Sequence, residues 1–117
     1  MLRNEVYIAP YLNTETIDSS KVRVYGKPQK YFFSLNSLSG EAELQIFGDK
    51  VSRTVRAIVD IRLMGKIKEN DAAYLYGVTP SPDEDKYCLG ANYHVSKILP
   101  QNVKMAVYFE RNSGDYE

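Results

Sequence analysis

Side chains able to cut, transfer or coordinate are few in this sequence, and they are scattered. The one histidine, His94, stands inside an alternating apolar and polar stretch on the face opposite Tyr93 and Val95, and no Ser or Cys motif of the nucleophile-elbow type accompanies it. It reads as a structural or exposed histidine rather than a general base. The one cysteine, Cys88, has only Lys86 as a basic neighbour in sequence, so it reads as a plain exposed thiol and not an activated thiolate. Asp83, Glu84 and Asp85 form an acidic run without the alternating oxygen ligands and glycine of a calcium loop, which makes them a solvated tip. Gly26, Gly40, Gly48, Gly65, Gly77 and Gly90 are dispersed one to a turn and build no phosphate cradle. A basic cluster, Lys50, Arg53, Arg56, Arg62, Lys66 and Lys68, is diluted by Asp49 and Asp60. A solvated face therefore fits it better than a nucleic-acid track. Nothing in this inventory argues for an enzyme, a metal or a cofactor.

The elements that would position these residues belong to one small domain. A chain of 117 residues buries about 65% of its unfolded surface, enough for a single core without disulfides or metal. One cysteine cannot make an internal bridge, and the stretch MLRNEVYIAPY has too short an apolar run for a signal-peptide core, so an intracellular protein is expected. No window is apolar enough to span a membrane. Fifteen basic and fifteen acidic side chains cancel, leaving no global field to recruit nucleic acid or an anionic membrane. Ten Tyr and four Phe with no Trp favour pleated, half-buried surfaces, where most tyrosines serve as ordinary strand residues.

Periodicity then places the strands. Val6 and Ile8 alternate with Tyr7 in a first strand, Glu5 to Ala9, which Pro10 ends; an edge position suits it. Tyr11 to Ser20 shows neither period and is rich in turn-forming side chains, so it reads as a surface loop. Val22 and Val24 make a second strand closed by Gly26, Lys27 and Pro28. Tyr31 to Leu38, where Tyr31, Phe33 and Leu35 alternate with Phe32, Ser34 and Asn36, makes a third. The stretch after Ser39 and Gly40 satisfies both periods. A short helix from Glu41 to about Phe47, capped by Ser39, followed by a strand from Val51 to Ile61 is expected; one helix from Glu41 to Ile58 is the alternative.

From Lys68 onward the pattern is an antiparallel meander. Gly65 to Asn70 makes a turn, and Asp71 is placed to brace it by accepting backbone N–H bonds ahead of a strand from Ala72 to Val78. Thr79 to Asn92 is a long loop, of the kind that is usually functional or mobile. The clearest hairpin follows: Tyr93, Val95, Lys97 and Leu99 alternate with His94, Ser96 and Ile98; Pro100 to Asn102 turns; Val103, Met105, Val107 and Phe109 alternate with Lys104, Ala106 and Tyr108. Residues 112–117 read as a frayed tail.

This order of elements resembles the small head-closure, or head-tail joining, proteins of tailed bacteriophages and prophages. The residues that carry the resemblance are Val6 to Pro10; Tyr25 to Pro28; Ser39, Gly40 and Glu41; Val55 to Ile61; Lys68, Glu69, Asn70, Asp71, Tyr74 and Tyr76; and Asn92, Tyr93 and Val95 with Tyr108, Phe109, Glu110 and Arg111. Two features depart from that pattern. Asn70 stands where a glycine commonly precedes the aspartate, and Thr79 to Asn92 exceeds the usual hairpin connection. The resemblance implies a mainly β fold, a small antiparallel barrel or sandwich of about six to seven strands with one short helix near 41–47. It also implies a virion structural role at the head-tail interface, after assembly in the host cytoplasm. Subunits would form a ring between the portal or adaptor and the tail-terminator, with DNA passing through the channel without sequence-specific contact and no membrane involved; a monomer outside the virion is compatible with this. The contacts would come from the loops 11–20 and 79–92 and the segment Glu41 to Lys50, with Tyr11, Asn13, Glu41, Glu43, Asp49, Lys50, Asp83, Glu84, Tyr87 and Leu89 as the interface candidates. The alternative of another class is a β module that binds single-stranded nucleic acid by stacking, or a small ligand in a pocket.

Overall fold

The computed structural model describes residues 4–37, 54–81 and 86–112. They form nine strands: β1 Asn4–Ala9, β2 Tyr11–Ile17, β3 Ser20–Tyr25, β4 Gln29–Phe33, β5 Asn36–Ser37, β6 Thr54–Asp60, β7 Ala72–Tyr74, β8 Tyr93–Gln101 and β9 Lys104–Arg111. Seven make one sheet in the order β4-β1-β7-β8-β9-β6-β5, and β2 and β3 make a separate two-stranded ribbon. Every ladder between strands is antiparallel. The fold is mainly β, as the composition implies. The short helix expected at 41–47 lies outside the described residues; the strand expected after it is β6, and that excludes a helix continuing to Ile58.

The seven-stranded sheet curls without closing into a barrel. Its end strands β4 and β5 are consecutive in the chain, joined by Ser34 and Leu35 alone. The curl therefore brings the two ends of the sheet together, and the polypeptide itself bridges them. Strands β4 and β6 approach within 8 Å between Cα atoms, yet no ladder joins them among the described residues, because paired strands need a spacing of about 4.8 Å. A seam is left along that line.

The concave face holds the core. Val6 and Ile8 of β1, Phe33 of β4, Val55, Ala57 and Val59 of β6, and Met105, Val107 and Phe109 of β9 are buried together there. Each set obeys period two, the geometry of a pleated strand with one face inward. In β8 the period breaks. A bulge between Val95 and Lys97 sets Val95 opposite Phe109, then Lys97 opposite Tyr108 and Ile98 opposite Val107. The extra residue, Ser96, shifts the phase, so Ile98 joins the core side and Lys97 and Leu99 leave it, the reverse of unbroken alternation. The connecting turn falls at Asn102 and Val103, between paired Gln101 and Lys104, and Pro100 lies inside the strand.

Four other expectations are corrected. Strand β1 is not an edge: it pairs with β4 on one side and β7 on the other, and Pro10 lies just past both ladders. Tyr11 to Ser20 is not a loop but most of the β2–β3 ribbon, turned at Asp18 (φ 50°) and Ser19 (φ 70°). Its sequence lacks alternation because most of its residues face solvent on both sides, and it keeps β-branched Thr14, Thr16 and Ile17, which favour extended backbone. Strand β7 stops at Tyr74, because Tyr76 (φ 57°) and Gly77 (φ 83°) turn the chain. Asn112 is not frayed: its amide N–H donates to Asn92 O at 2.9 Å and its Nδ2 to Ala91 O at 2.9 Å.

Candidate interaction surface

Strands β1 and β4 continue past a kink, at Pro10 on one side and Gly26 to Pro28 on the other, into β2 and β3. The result is one long bent hairpin whose outer half projects as an arm. At the kink Gly26 N–H donates to Pro10 O at 2.7 Å. A Cβ on Gly26 would meet the Pro10 ring at 3.1 Å, so the absence of a side chain lets the two limbs approach.

Asp71 fixes the root of this arm. Its side chain is fully buried; Oδ1 accepts from Tyr11 N at 2.8 Å and Oδ2 from Lys68 N at 2.9 Å. The bracing bond to Lys68 is the one the sequence predicts. The bond to Tyr11 joins the first residue of the arm to a turn sixty positions away. Burial pushes the Asp71 carboxyl above its ordinary range, and the two N–H donors and the Lys68 charge oppose that rise. The preceding residue, Asn70, takes φ 79°, a conformation that suits glycine first and asparagine next.

Lys86, Tyr87 and Cys88 of the long loop lie against the arm and the convex face of the sheet. Tyr25 N–H donates to Lys86 O at 2.7 Å, Lys86 Nζ meets Glu15 Oε2 at 3.2 Å, and Tyr87 Oη donates to Glu15 Oε1 at 3.3 Å. The Glu15 carboxylate raises the Lys86 ammonium above its ordinary value. Beneath the loop, Cys88 packs with Ala9, Ala72 and Tyr74 in a second apolar cluster. The thiol is therefore buried, not exposed: the loop folds it back onto small side chains that leave room for it. Burial likewise raises the Tyr25 phenol, with Arg23 opposing.

Of the sequence-predicted contact residues, Tyr11, Asn13, Tyr87 and Leu89 are described. Tyr11 is half-buried at the arm root, edge-on to Tyr25 at 6.0 Å with the Arg23 guanidinium 5.8 Å above its ring. Asn13 is exposed at a break in the β2–β3 register. Tyr87 is tied to the arm through Glu15, and Leu89 stands 82% exposed. Arm and long loop are thus brought together on one side of the molecule. Glu41, Glu43, Asp49, Lys50, Asp83 and Glu84 lie outside the described residues. His94 is structural in its contacts, with Nδ1 2.7 Å from Asn112 Oδ1 and Nε2 3.9 Å from Glu110. Among the described residues no group of three His, Cys, Asp or Glu side chains is placed to hold a metal ion, and no helix is long and apolar enough to cross a membrane.

Sequence reasoning misses two surface features. One is the exposure of two apolar side chains on the arm, Leu12 near the kink and Ile17 beside the turn; only Ile17, a β-branched residue before the polar pair Asp18 and Ser19, carries a strand signal. The other is the seam, where two open clefts of about 480 and 470 Å³ meet at Leu63. Compared with protein families, with curated proteins and with solved structures, the chain matches none.

Proposed function

We propose that this chain is a virion structural protein of a tailed phage or prophage, a ring subunit at the head-tail interface that joins the portal or adaptor to the tail-terminator and closes the DNA-filled head. The observation that supports it best is the arm. A two-stranded ribbon gains little stability from its own ladder, and beyond its ties to Asp71, Lys86 and Tyr87 this one leaves Leu12 58% and Ile17 41% exposed at its surface. Such an element is suited to gain stability from a neighbour packed against it, as ring assembly supplies. Asn70, a departure from the family pattern, is compatible with it: φ 79° suits glycine first and asparagine next. DNA would pass through the ring channel without base contacts.

The test is particle assembly without this chain. Electron microscopy is expected to show heads that lack tails and have lost DNA; filled heads carrying tails refute the reading. A second reading, stacking of single-stranded nucleic acid, is favoured by one constellation. Lys30 Nζ lies 5.7 Å from the Tyr7 ring and 5.9 Å from the ring of Phe32, which is 53% exposed. Glu5, 4.0 Å from the same ammonium, opposes a phosphate there, which ranks this reading second. A salt-dependent mobility shift of a labelled oligonucleotide, lost in Phe32→Ala, would establish it instead.

A further inference from the structure

The two faces of the arm differ. Thr14 pairs with Arg23 and Thr16 with Lys21, while Glu15 pairs with Val22 and Asn13 with Val24. By period two the first two pairs share one face and the last two share the other. The face of Glu15 is engaged: Val24 is buried, Val22 is half-buried, and Lys86 Nζ and Tyr87 Oη of the long loop reach the carboxylate at 3.2 and 3.3 Å. Among the described residues the opposite face is open. Thr14, Thr16, Lys21 and Arg23 are all exposed there, with half-buried Tyr11 and Tyr25 at its root. The Arg23 guanidinium lies 5.8 Å over the Tyr11 ring, and the Tyr11 hydroxyl shares a hydrogen bond with that of Thr14. Two cations and the threonine and tyrosine hydroxyls thus line one side of the ribbon with no carboxylate among them.

We infer that this face of the arm is a contact for the sugar-phosphate backbone of duplex DNA. Arg, Lys, Thr and Tyr are side chains that meet phosphate oxygens and carry no sequence information when they do. Lys21 and Arg23, two residues apart on one strand, stand about 7 Å apart at roughly 3.4 Å per residue, the interval between successive phosphates of one DNA strand. A two-stranded ribbon is also narrow enough for the major groove of B-form DNA, whereas that of duplex RNA is deep and closed to side chains. Single strands fit this face less well, because they need open rings on which bases stack. Here Tyr11 and Tyr25 meet edge-on at 6.0 Å, and Arg23 covers Tyr11. The choice of polymer rests on the reading above, in which duplex DNA passes this chain, while the contact itself is tested apart from it.

The experiment titrates isotopically labelled full-length protein with a mixed-sequence DNA duplex and follows it by NMR. The Arg23 Nε–H and the Thr14 and Thr16 methyl signals should shift, and a duplex of scrambled sequence should bind equally well. Two phosphates neutralised per chain predict a slope of about −1.8 in log K against log salt, so affinity should fall about twelvefold between roughly 50 and 200 mM salt. Lys21→Gln should flatten that slope by about 0.9. Lys21→Glu/Arg23→Glu should abolish binding while circular dichroism reports the wild-type fold, and Lys104→Gln, on the sheet, should leave binding unchanged. An equal loss in Lys104→Gln means diffuse attraction and overturns the contact, as does an absence of shifts at low salt. Tighter binding of a single strand of equal phosphate count, removed by Phe32→Ala, also overturns it in favour of stacking. Each of these outcomes leaves the particle-assembly test standing, whereas filled, tailed heads without this chain refute the joining role and not the affinity of the arm for DNA.

Discussion

Replacing Asp71 tests the device that holds the arm to the sheet. The carboxylate uses different oxygens for Tyr11 N and Lys68 N, both inside the protein. Asparagine keeps one acceptor and turns an NH2 group toward the other N–H, leaving one buried donor unmet. That costs about 1–3 kcal/mol, and alanine, which abandons both, costs up to twice as much. For a domain of this size about 2 kcal/mol lowers Tm by roughly 8 °C. The pH dependence separates this account from a simple packing defect. Burial raises the folded-state pKa of Asp71 above its ordinary value, so the folded chain binds this proton more tightly than the unfolded one. The stability tied to the proton is fully present below the unfolded pKa and is lost as pH rises through the folded pKa. The side-chain amide of the Asp71→Asn variant does not titrate. Urea unfolding of both proteins from pH 7 down to about 4 should therefore show the stability gap widening as pH falls. A gap that narrows would mean that the two N–H bonds outweigh desolvation, refuting the electrostatic reasoning. An unchanged Tyr11 amide exchange rate in Asp71→Ala would refute the anchoring itself.

Other expectations follow from single contacts. Asn92 accepts from Leu75 N and donates to Leu75 O, each at 3.0 Å, so Asn92→Ala should cost about 1–3 kcal/mol in urea unfolding and accelerate exchange of the Leu75 amide. Cys88 is 5% exposed, so its reaction with a disulfide reagent should be slow in buffer and should track the unfolding curve as urea is added. Glu15→Gln removes the charge that raises Lys86, and the Lys86 titration midpoint, followed by NMR, should fall toward the ordinary lysine value. Deleting Ser96 removes the extra bulge residue yet keeps Val95 and Ile98 on the core side. Circular dichroism should find that variant folded, whereas an alanine inserted after Ile98, which throws Pro100 out of phase, should unfold it.

How much of this was legible in the sequence depended on whether a strand has one dry face. Strands β6 and β9 announce themselves because Val55, Ala57 and Val59, and Met105, Val107 and Phe109, pack inward at every second position. The first limb of the arm has little dry face to report, so Tyr11 to Ser20 reads as a loop although its backbone is extended through Ile17, whereas Val22 and Val24 mark the second limb as a strand. The β8 bulge is invisible for a related reason. Tyr93, Val95 and Leu99 are apolar at unbroken spacing, and only the partner strand reveals that Ile98, not Leu99, lies opposite Val107.

The candidate surface divides along the same line. Local chemistry predicts that Asp71 braces its own turn, because a carboxylate three residues after Lys68 can fold back onto that N–H. The bond to Tyr11 depends on the curl that carries β1 alongside β7, which no local pattern encodes. The seam is further removed still, since it exists only because β4 and β5, joined by two residues, pair with opposite ends of the sheet. That bridge also explains why the sheet stops short of a barrel. Ser34 and Leu35 must pass from the ladder on β1 to the ladder on β6, and the chain crossing the gap cannot also fill it with paired backbone. Among the described residues no ladder joins β4 to β6, and the two clefts beside Lys66 and Lys104 lie along that line.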